Sequence, residues 1–230
     1  MTRTDKIAFA IGAVLFDILL VGVVTRLLTV TEVLGFVTGA VGVYLTVRGH
    51  IWNFPIGLAN NIFFGVLFYT SRLYNDMGLQ VVFFVLGVWG WWRWSHGDEK
   101  HERLPVGRAR LADWVGCALF LILGTALMTF LSARAGGAEP FWDALTTALS
   151  LCAQYMLGRK YLENWAFWLL ADIVYVPLYI SRELYLTSAL YFGFGCLCVL
   201  GFFTWRRQWK HHEMENGRGD RQVLAAPSGS

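Results

Sequence analysis

Charge is scarce in this chain. Only 15% of its 230 residues are Asp, Glu, Lys or Arg, and the formal net charge is +3. A balance that small gives no basis for expecting nucleic acid as a partner. Against it stand 56% hydrophobic residues and a mean hydropathy of +0.49. A soluble domain has nowhere to bury so much apolar surface, so the class is integral membrane protein, all-α. There are five histidines, none deep in an apolar run, so the usual metal ligands are missing. Cysteine is limited to Cys117, Cys152, Cys196 and Cys198, all inside apolar runs. Disulfide and zinc readings are therefore poor, and small buried apolar residues is the plain one. There is no glycine-rich nucleotide loop, no His/Cys metal spacing and no nucleophile–base pair. Enzyme chemistry, ATP coupling and a cofactor are not expected.

What is present is a series of apolar runs. A membrane-crossing helix needs roughly 20 such residues, from about 17 to 25. Eight runs qualify: 7–24, 32–47, 51–69, 77–94, 112–131, 141–157, 163–180 and 184–205. The first follows MTRTDK and resembles a signal sequence. It is long enough to span and no small-residue cleavage site follows, so it reads as an uncleaved first helix. Residues 1–209 thus form one transmembrane domain, and the polar, Gly-rich stretch 210–230 is expected to be a disordered tail. With eight spans, fifteen of the nineteen Lys and Arg residues fall on the side of both termini and four on the other. That asymmetry places both termini in the cytoplasm.

The chain also repeats itself. Laid over itself at one constant offset, with Leu34 on Leu145, the stretch 34–94 overlies 145–205 without a gap, and fifteen of the sixty-one pairs are identical. The aromatic, glycine and arginine matches carry the weight: Tyr44 with Tyr155, Arg48 with Arg159, Gly90 with Gly201, Trp94 with Trp205. Spans two to four and six to eight are then two three-helix repeats, joined by a linker helix over 112–131. An odd linker keeps both in the same orientation, so the repeat is parallel, and such halves enclose a substrate site near mid-membrane.

Trp165, Trp168, Asp172 and Tyr175 follow one another at steps of three and four, one face of a helix. A carboxylate at bilayer depth normally faces protein or a watery cavity. Asp172 overlies Asn61, so polar groups recur at one internal depth in both repeats. They line a central pore, or they join helices by hydrogen bonds. Trp168 overlies Gly57 and Trp165 overlies Phe54. Indoles beside a carboxylate suit a flat cation; they also fill space or anchor at an interface. Gln154 and Gln80 carry amides that suit ribose hydroxyls or a carboxamide, or serve as helix–helix links. Asn60 faces about 100° away from Asn61, so only one of the two meets a ligand. Pro177, inside the seventh run, suggests a kink and a gating hinge. Asp17 in the first run has no assigned role.

The run W-N-F-P-I-G-L-A-N-N at 52–61 and E-N-W-A-F-W-L-L-A-D at 163–172, with Leu184-Tyr185, resemble the bacterial PnuC family of nicotinamide riboside transporters. The closing Gly-x-x-x-Trp at 90–94 and 201–205 fits as well, and the resemblance covers about 34–207. It implies a SWEET-like 3+1+3 architecture preceded by one extra helix, in a bacterial inner membrane. It further implies facilitated diffusion of nicotinamide riboside, trapped inside by phosphorylation, and suggests a homo-oligomer, a trimer. Through its motif it adds Trp52 and Asn53 to the candidate substrate-binding residues. Relatives in the family carry thiamine or riboflavin, so the motif does not fix the substrate.

Overall fold

The computed structural model describes residues 6, 7, 10, 12–14, 17, 20–22, 30–70, 74–97, 104–134, 136 and 139–225. Seven helices are bounded within them: α1 (Val30–Val47), α2 (Asn53–Thr70), α3 (Tyr74–His96), α4 (Leu111–Arg134), α5 (Pro140–Gly158), α6 (Asn164–Ser181) and α7 (Tyr185–Ala225). Of the first expected span, 7–24, the described residues are helical and the remainder lies outside them. No strand occurs among the described residues beyond an isolated bridge between Gly107 and Tyr161.

The shortest helices have 18 residues, about 27 Å at 1.5 Å per residue, close to the thickness of a hydrocarbon core. A helix satisfies its own backbone, which lipid requires. α4 is the plainest case. Its buried residues are only Asp113, Cys117 and Thr125, while Ile122, Leu123 and Leu127 are 59–68% exposed. An apolar helix open on nearly every face belongs in hydrocarbon rather than water. α4 and the Thr187–Glu215 stretch of α7 are long and apolar enough to cross a membrane.

α7 overturns one expectation. Disorder is expected from residue 210, yet the helix runs on to Ala225. The stretch 210–216 is rich in helix-compatible Lys, Glu and Met, contains no proline, and carries a His211–Glu215 pair at 3.4 Å one turn apart. Such i,i+4 pairs support an exposed helix. Residues 226–230 fall outside the described residues.

α3 packs on α5, α1 on α7, and α4 on α5. The turn from α1 to α2 and that from α5 to α6 are built alike. Gly49 N–H donates to Thr46 O at 2.8 Å and His50 N–H to Leu45 O at 2.9 Å. At the positions matched by the offset that lays Leu34 on Leu145, Lys160 N–H donates to Leu157 O at 2.8 Å and Tyr161 N–H to Met156 O at 3.0 Å. Gly49 and Lys160 have φ of +64° and +58°, the left-handed residue that commonly ends a helix. Lys160 is not glycine, and its Nζ sits 4.3 Å above the Trp94 ring, a cation–π contact that offsets part of the strain. Each turn closes on an asparagine: Asn53 Nδ2 donates to His50 O and Asn164 Nδ2 to Tyr161 O.

Two indoles cross between the regions. Trp94 Nε1 donates to Leu157 O at 3.1 Å and Trp205 Nε1 to Thr46 O at 3.0 Å. The donors match each other under the offset that lays Leu34 on Leu145, and so do the acceptors. The two rings lie 5.8 Å from each other. Around them Val47, Phe54, Leu157, Leu162, Trp165 and Cys198 form a buried cluster. Glycines make room for its rings. A Cβ at Gly90 would lie 2.7 Å from Phe54, and one at Gly201 would lie 2.5 Å from Trp165.

Candidate functional site

Asp172 sits midway along α6 and is 8% exposed. Its side-chain hydrogen bond comes from Cys198 Sγ on α7, at 3.6 Å. Thiols are weak donors, so most of the carboxylate's acceptor capacity is unused. It makes no salt bridge among the described residues. Gly195 of α7 faces it: a Cβ there would make ordinary contact with Asp172 Cβ at 3.7 Å. Beside the carboxylate stands a group of aromatic rings. Tyr175 is stacked on Tyr179 at 5.7 Å and lies 4.7 Å from Tyr191 of α7. Tyr191 stacks on Tyr179 at 5.1 Å and meets Phe194 edge-on. The Tyr175 hydroxyl reaches Thr146 of α5. α5, α6 and α7 thus bring together one under-satisfied carboxylate and several aromatic faces. Both features attract an organic cation.

The other expected residues divide. Trp168 is half-buried and packs against both buried clusters. Asn61, Gln80 and Gln154 are half-buried, and their amides make no hydrogen bond among the described residues. Asn60 is different: its amide donates to Thr38 Oγ1 and to Gly35 O. Asn60 therefore ties α2 to α1, which leaves Asn61 as the one free to meet a ligand.

Three further candidates sit away from the Tyr175–Tyr191 group. Trp52 is 59% exposed in the turn before α2, its backbone N–H donating to His50 Nδ1. Asn53 is buried but spends its amide on the same turn. Trp165 is 2% exposed and packs edge-on against Trp205 at 5.4 Å beneath Gly201. Its ring fills the core, and its Nε1 has no hydrogen-bond partner among the described residues. Depth along a helix places an indole but does not say whether a glycine elsewhere has opened space for it.

Sequence reasoning passes over Tyr179, Tyr191 and Cys198. Tyr191 had a signal, because it overlies the candidate Gln80. Cys198 had none, since a thiol inside an apolar run reads as an apolar side chain.

A second carboxylate is the counterexample. Asp113, at the start of α4, accepts from Tyr155 Oη at 2.7 Å, Arg159 Nη2 at 3.2 Å and Arg110 N–H at 3.1 Å. Trp89 of α3 stacks on Tyr155 at 5.7 Å. Nearby, Glu163 accepts from Arg108 Nε and Ala109 N–H. Both oxygens of each carboxylate are bonded, one of the donors in each case a guanidinium, and they hold α4 and its leading loop against α5 and α6. Among the described residues no group of three or more His, Cys, Asp or Glu could hold a metal ion.

Comparison with known proteins supplies the family. A family model described as "Nicotinamide mononucleotide transporter" matches residues 29–207. The nicotinamide riboside transporter PnuC of Escherichia coli (strain K12) is 27% identical over 214 residues, covering 81% of this chain and 87% of that protein. The riboflavin/roseoflavin transporter RibM of Streptomyces davaonensis is 26% identical over 182 residues, covering 76% and 84%. Among solved structures, the crystal structure of the vitamin B3 transporter PnuC shares the fold, with a TM-score of 0.66 at 22% identity over 88% of this chain and 92% of that one. With the match running through six of the seven bounded helices and most of the seventh, the chain belongs to the nicotinamide mononucleotide transporter family and is a PnuC-type membrane transporter, not an enzyme.

Proposed function

We propose that this chain carries nicotinamide riboside across a bacterial inner membrane by facilitated diffusion, and that phosphorylation inside the cell traps the substrate. The observation that carries the reading is the Asp172 site: a buried carboxylate with only a thiol donor, set among the rings of Tyr175 and Tyr191. Nicotinamide riboside offers a flat cationic ring for the rings and the charge. Its carboxamide and ribose hydroxyls match the unpaired amides of Asn61, Gln80 and Gln154.

The architecture we propose is eight spans, one helix followed by two parallel three-helix repeats at 34–94 and 145–205 with α4 as linker. Both termini lie in the cytoplasm. The repeats pack side by side about an axis along the membrane normal. The turn hydrogen bonds that recur at matching positions of the two repeats, and the reciprocal Trp94 and Trp205 bonds, support it. Rocking of one repeat against the other would then expose a site between α2 and α6 to either side in turn. A homo-oligomer fits the exposed apolar face of α4.

Riboflavin is the second reading, favoured by the similarity to RibM; an uncharged ligand would leave Asp172 without its role. Thiamine, also a flat cation, suits the same slot. The test is uptake of labelled nicotinamide riboside into proteoliposomes holding no ATP and no ion gradient. The expected result is saturable uptake, accelerated by unlabelled substrate inside. Binding without uptake or exchange would overturn the proposal in favour of a receptor. Calorimetry with nicotinamide riboside, thiamine, riboflavin and the phosphorylated mononucleotide ranks the ligands.

A further inference from the structure

The α1–α2 and α5–α6 turns share their internal hydrogen bonds, yet only the second is held from outside. Against it lies the segment 104–110, which leads into α4. Gly107 N–H donates to Lys160 O at 3.1 Å, and Leu162 N–H donates to Gly107 O at 3.0 Å. The buried Glu163 carboxylate accepts from Arg108 Nε and from Ala109 N–H. The half-exposed Arg108 guanidinium also lies 5.2 Å over the Trp209 ring of α7. At the position matching Glu163, the α1–α2 turn carries the exposed Trp52, and residues 48–53 include no acid that could hold such a segment. The latched segment carries Val106 into the buried cluster that both repeats share. Val47 and Trp94 reach that cluster from the first repeat; Leu157, Cys198 and Trp205 reach it from the second. Cys198 is also the donor to Asp172. The cluster therefore abuts the candidate site, on the side of the helix ends that bear Trp94 and Trp205.

We propose that residues 104–110 form a plug, latched to the second repeat through Glu163, that closes the exit from the Asp172 site on this face. For the site to open here, the two repeats must part at the shared cluster, and Val106 must lose its contacts with one of them. The latch keeps Val106 seated, so its strength sets how much of the population is open on this side. The device is one-sided. At the other end of the site stand the rings of Tyr175, Tyr179 and Tyr191, and no such segment lies over them among the described residues. The plug supplies no driving force. In a carrier that only equilibrates its substrate, a looser plug changes the rate in both directions and leaves the final distribution as it was. The inference rests on the rocking of the repeats proposed above and not on the identity of the substrate.

The test needs no ligand, because the buried Cys198 thiol reports from behind the plug. It uses the full-length chain in oriented vesicles, with Cys117, Cys152 and Cys196 replaced by alanine. A charged, membrane-impermeant methanethiosulfonate reaches Cys198 only when the site opens to the face where the reagent is added. Val106→Ala shrinks the plug, and Glu163→Gln removes the charge of its latch. Each should speed labelling from the face that bears residues 210–225 by about fivefold, the equivalent of one net hydrogen bond. Labelling from the opposite face should not speed up. A variant that melts like the wild type and labels no faster would overturn the plug. Equal acceleration from both faces would overturn it too, as general loosening. If the alanine background does not fold, exchange of labelled nicotinamide riboside by the protein with its own cysteines gives the same reading. Glu163→Gln should then exchange faster and reach the same final distribution; unchanged or slower exchange would overturn the plug. Faster one-sided labelling of Cys198 in a protein that moves no nicotinamide riboside would overturn the substrate assignment and leave the plug standing.

Discussion

In α1–α3 the ring of Phe64 lies over Gly35; in α5–α7, at the matching positions, Tyr175 lies beside Thr146. The same offset pairs Asn61 with Asp172, Gly57 with Trp168, Gly87 with Cys198 and Gln80 with Tyr191. In each of these pairs but the last, the first region holds the smaller, less polar or uncharged member. At the ends of the helices the two regions agree instead: the same turn, the same capping asparagine, the same indole donating across to the other region. The difference has a physical cause. An indole that donates to a carbonyl of the other region, or a ring that sits on a glycine, is fixed by two partners at once. A change in either one costs packing or a hydrogen bond. The mid-helix positions carry no such mutual constraint, so one region could acquire a charge and its aromatic neighbours while the other stayed nearly apolar.

The largest effects should come from the ring-on-glycine contacts. Gly90→Ala and Gly201→Ala each place a methyl group inside the contact distance of a buried ring, and overpacking of this kind costs about 1–3 kcal/mol. Gly90→Ala should be the worse of the two. Its methyl also lies 3.1 Å from the Gly158 backbone, whereas the Gly201 methyl meets only the Trp165 side chain at its three nearest points. Thermal unfolding in detergent measures both. A tolerated Gly90→Ala beside a damaging Gly201→Ala would break the likeness of the ends.

Next come Trp94→Phe and Trp205→Phe. Each removes one indole donor but leaves its carbonyl still bonded to a backbone N–H, at 2.8 Å in both cases. With no orphaned acceptor the loss should be about 1 kcal/mol for each. Equal losses support equivalence; a cost for one alone would contradict it. The smallest effect per bond separates two neighbours on α2. Asn60→Ala should cost about 0.6 kcal/mol of stability for each of the two hydrogen bonds its amide makes to α1, and leave ligand affinity unchanged. Asn61→Ala should do the reverse, because its amide has no partner among the described residues. Paired melting curves and binding isotherms read the two.

Much of this comparison was legible before the fold. Hydropathy located α6 within one residue at each end, 163–180 against Asn164–Ser181. The constant offset matched Trp94 to Trp205 and Gly90 to Gly201, residues that the fold places in matching roles. Side-chain allegiance was not legible. Trp165 and Trp168 lie on one helical face, yet only Trp165 is taken up by Gly201, a glycine of the next helix. Asn60 and Asn61 differ only in what α1 presents, and Cys198 gives no polar signal until Asp172 is beside it. Past Trp209 composition misleads, since Lys, Glu and Met extend a helix through a stretch whose glycines read as disorder.

Equilibrium binding of nicotinamide riboside to the wild type, to Asp172→Asn and to the exchange variant Asn61→Asp/Asp172→Asn tests the central claim most directly. Asp172→Asn should weaken binding at least tenfold near neutral pH, about 1.4 kcal/mol. The exchange variant should not recover it, because Trp168 and Tyr175 share α6 with position 172 and Tyr191 lies on α7 packed against it. Unchanged affinity in Asp172→Asn, or full recovery in the exchange variant, would contradict the assignment of the ligand's charge to α6.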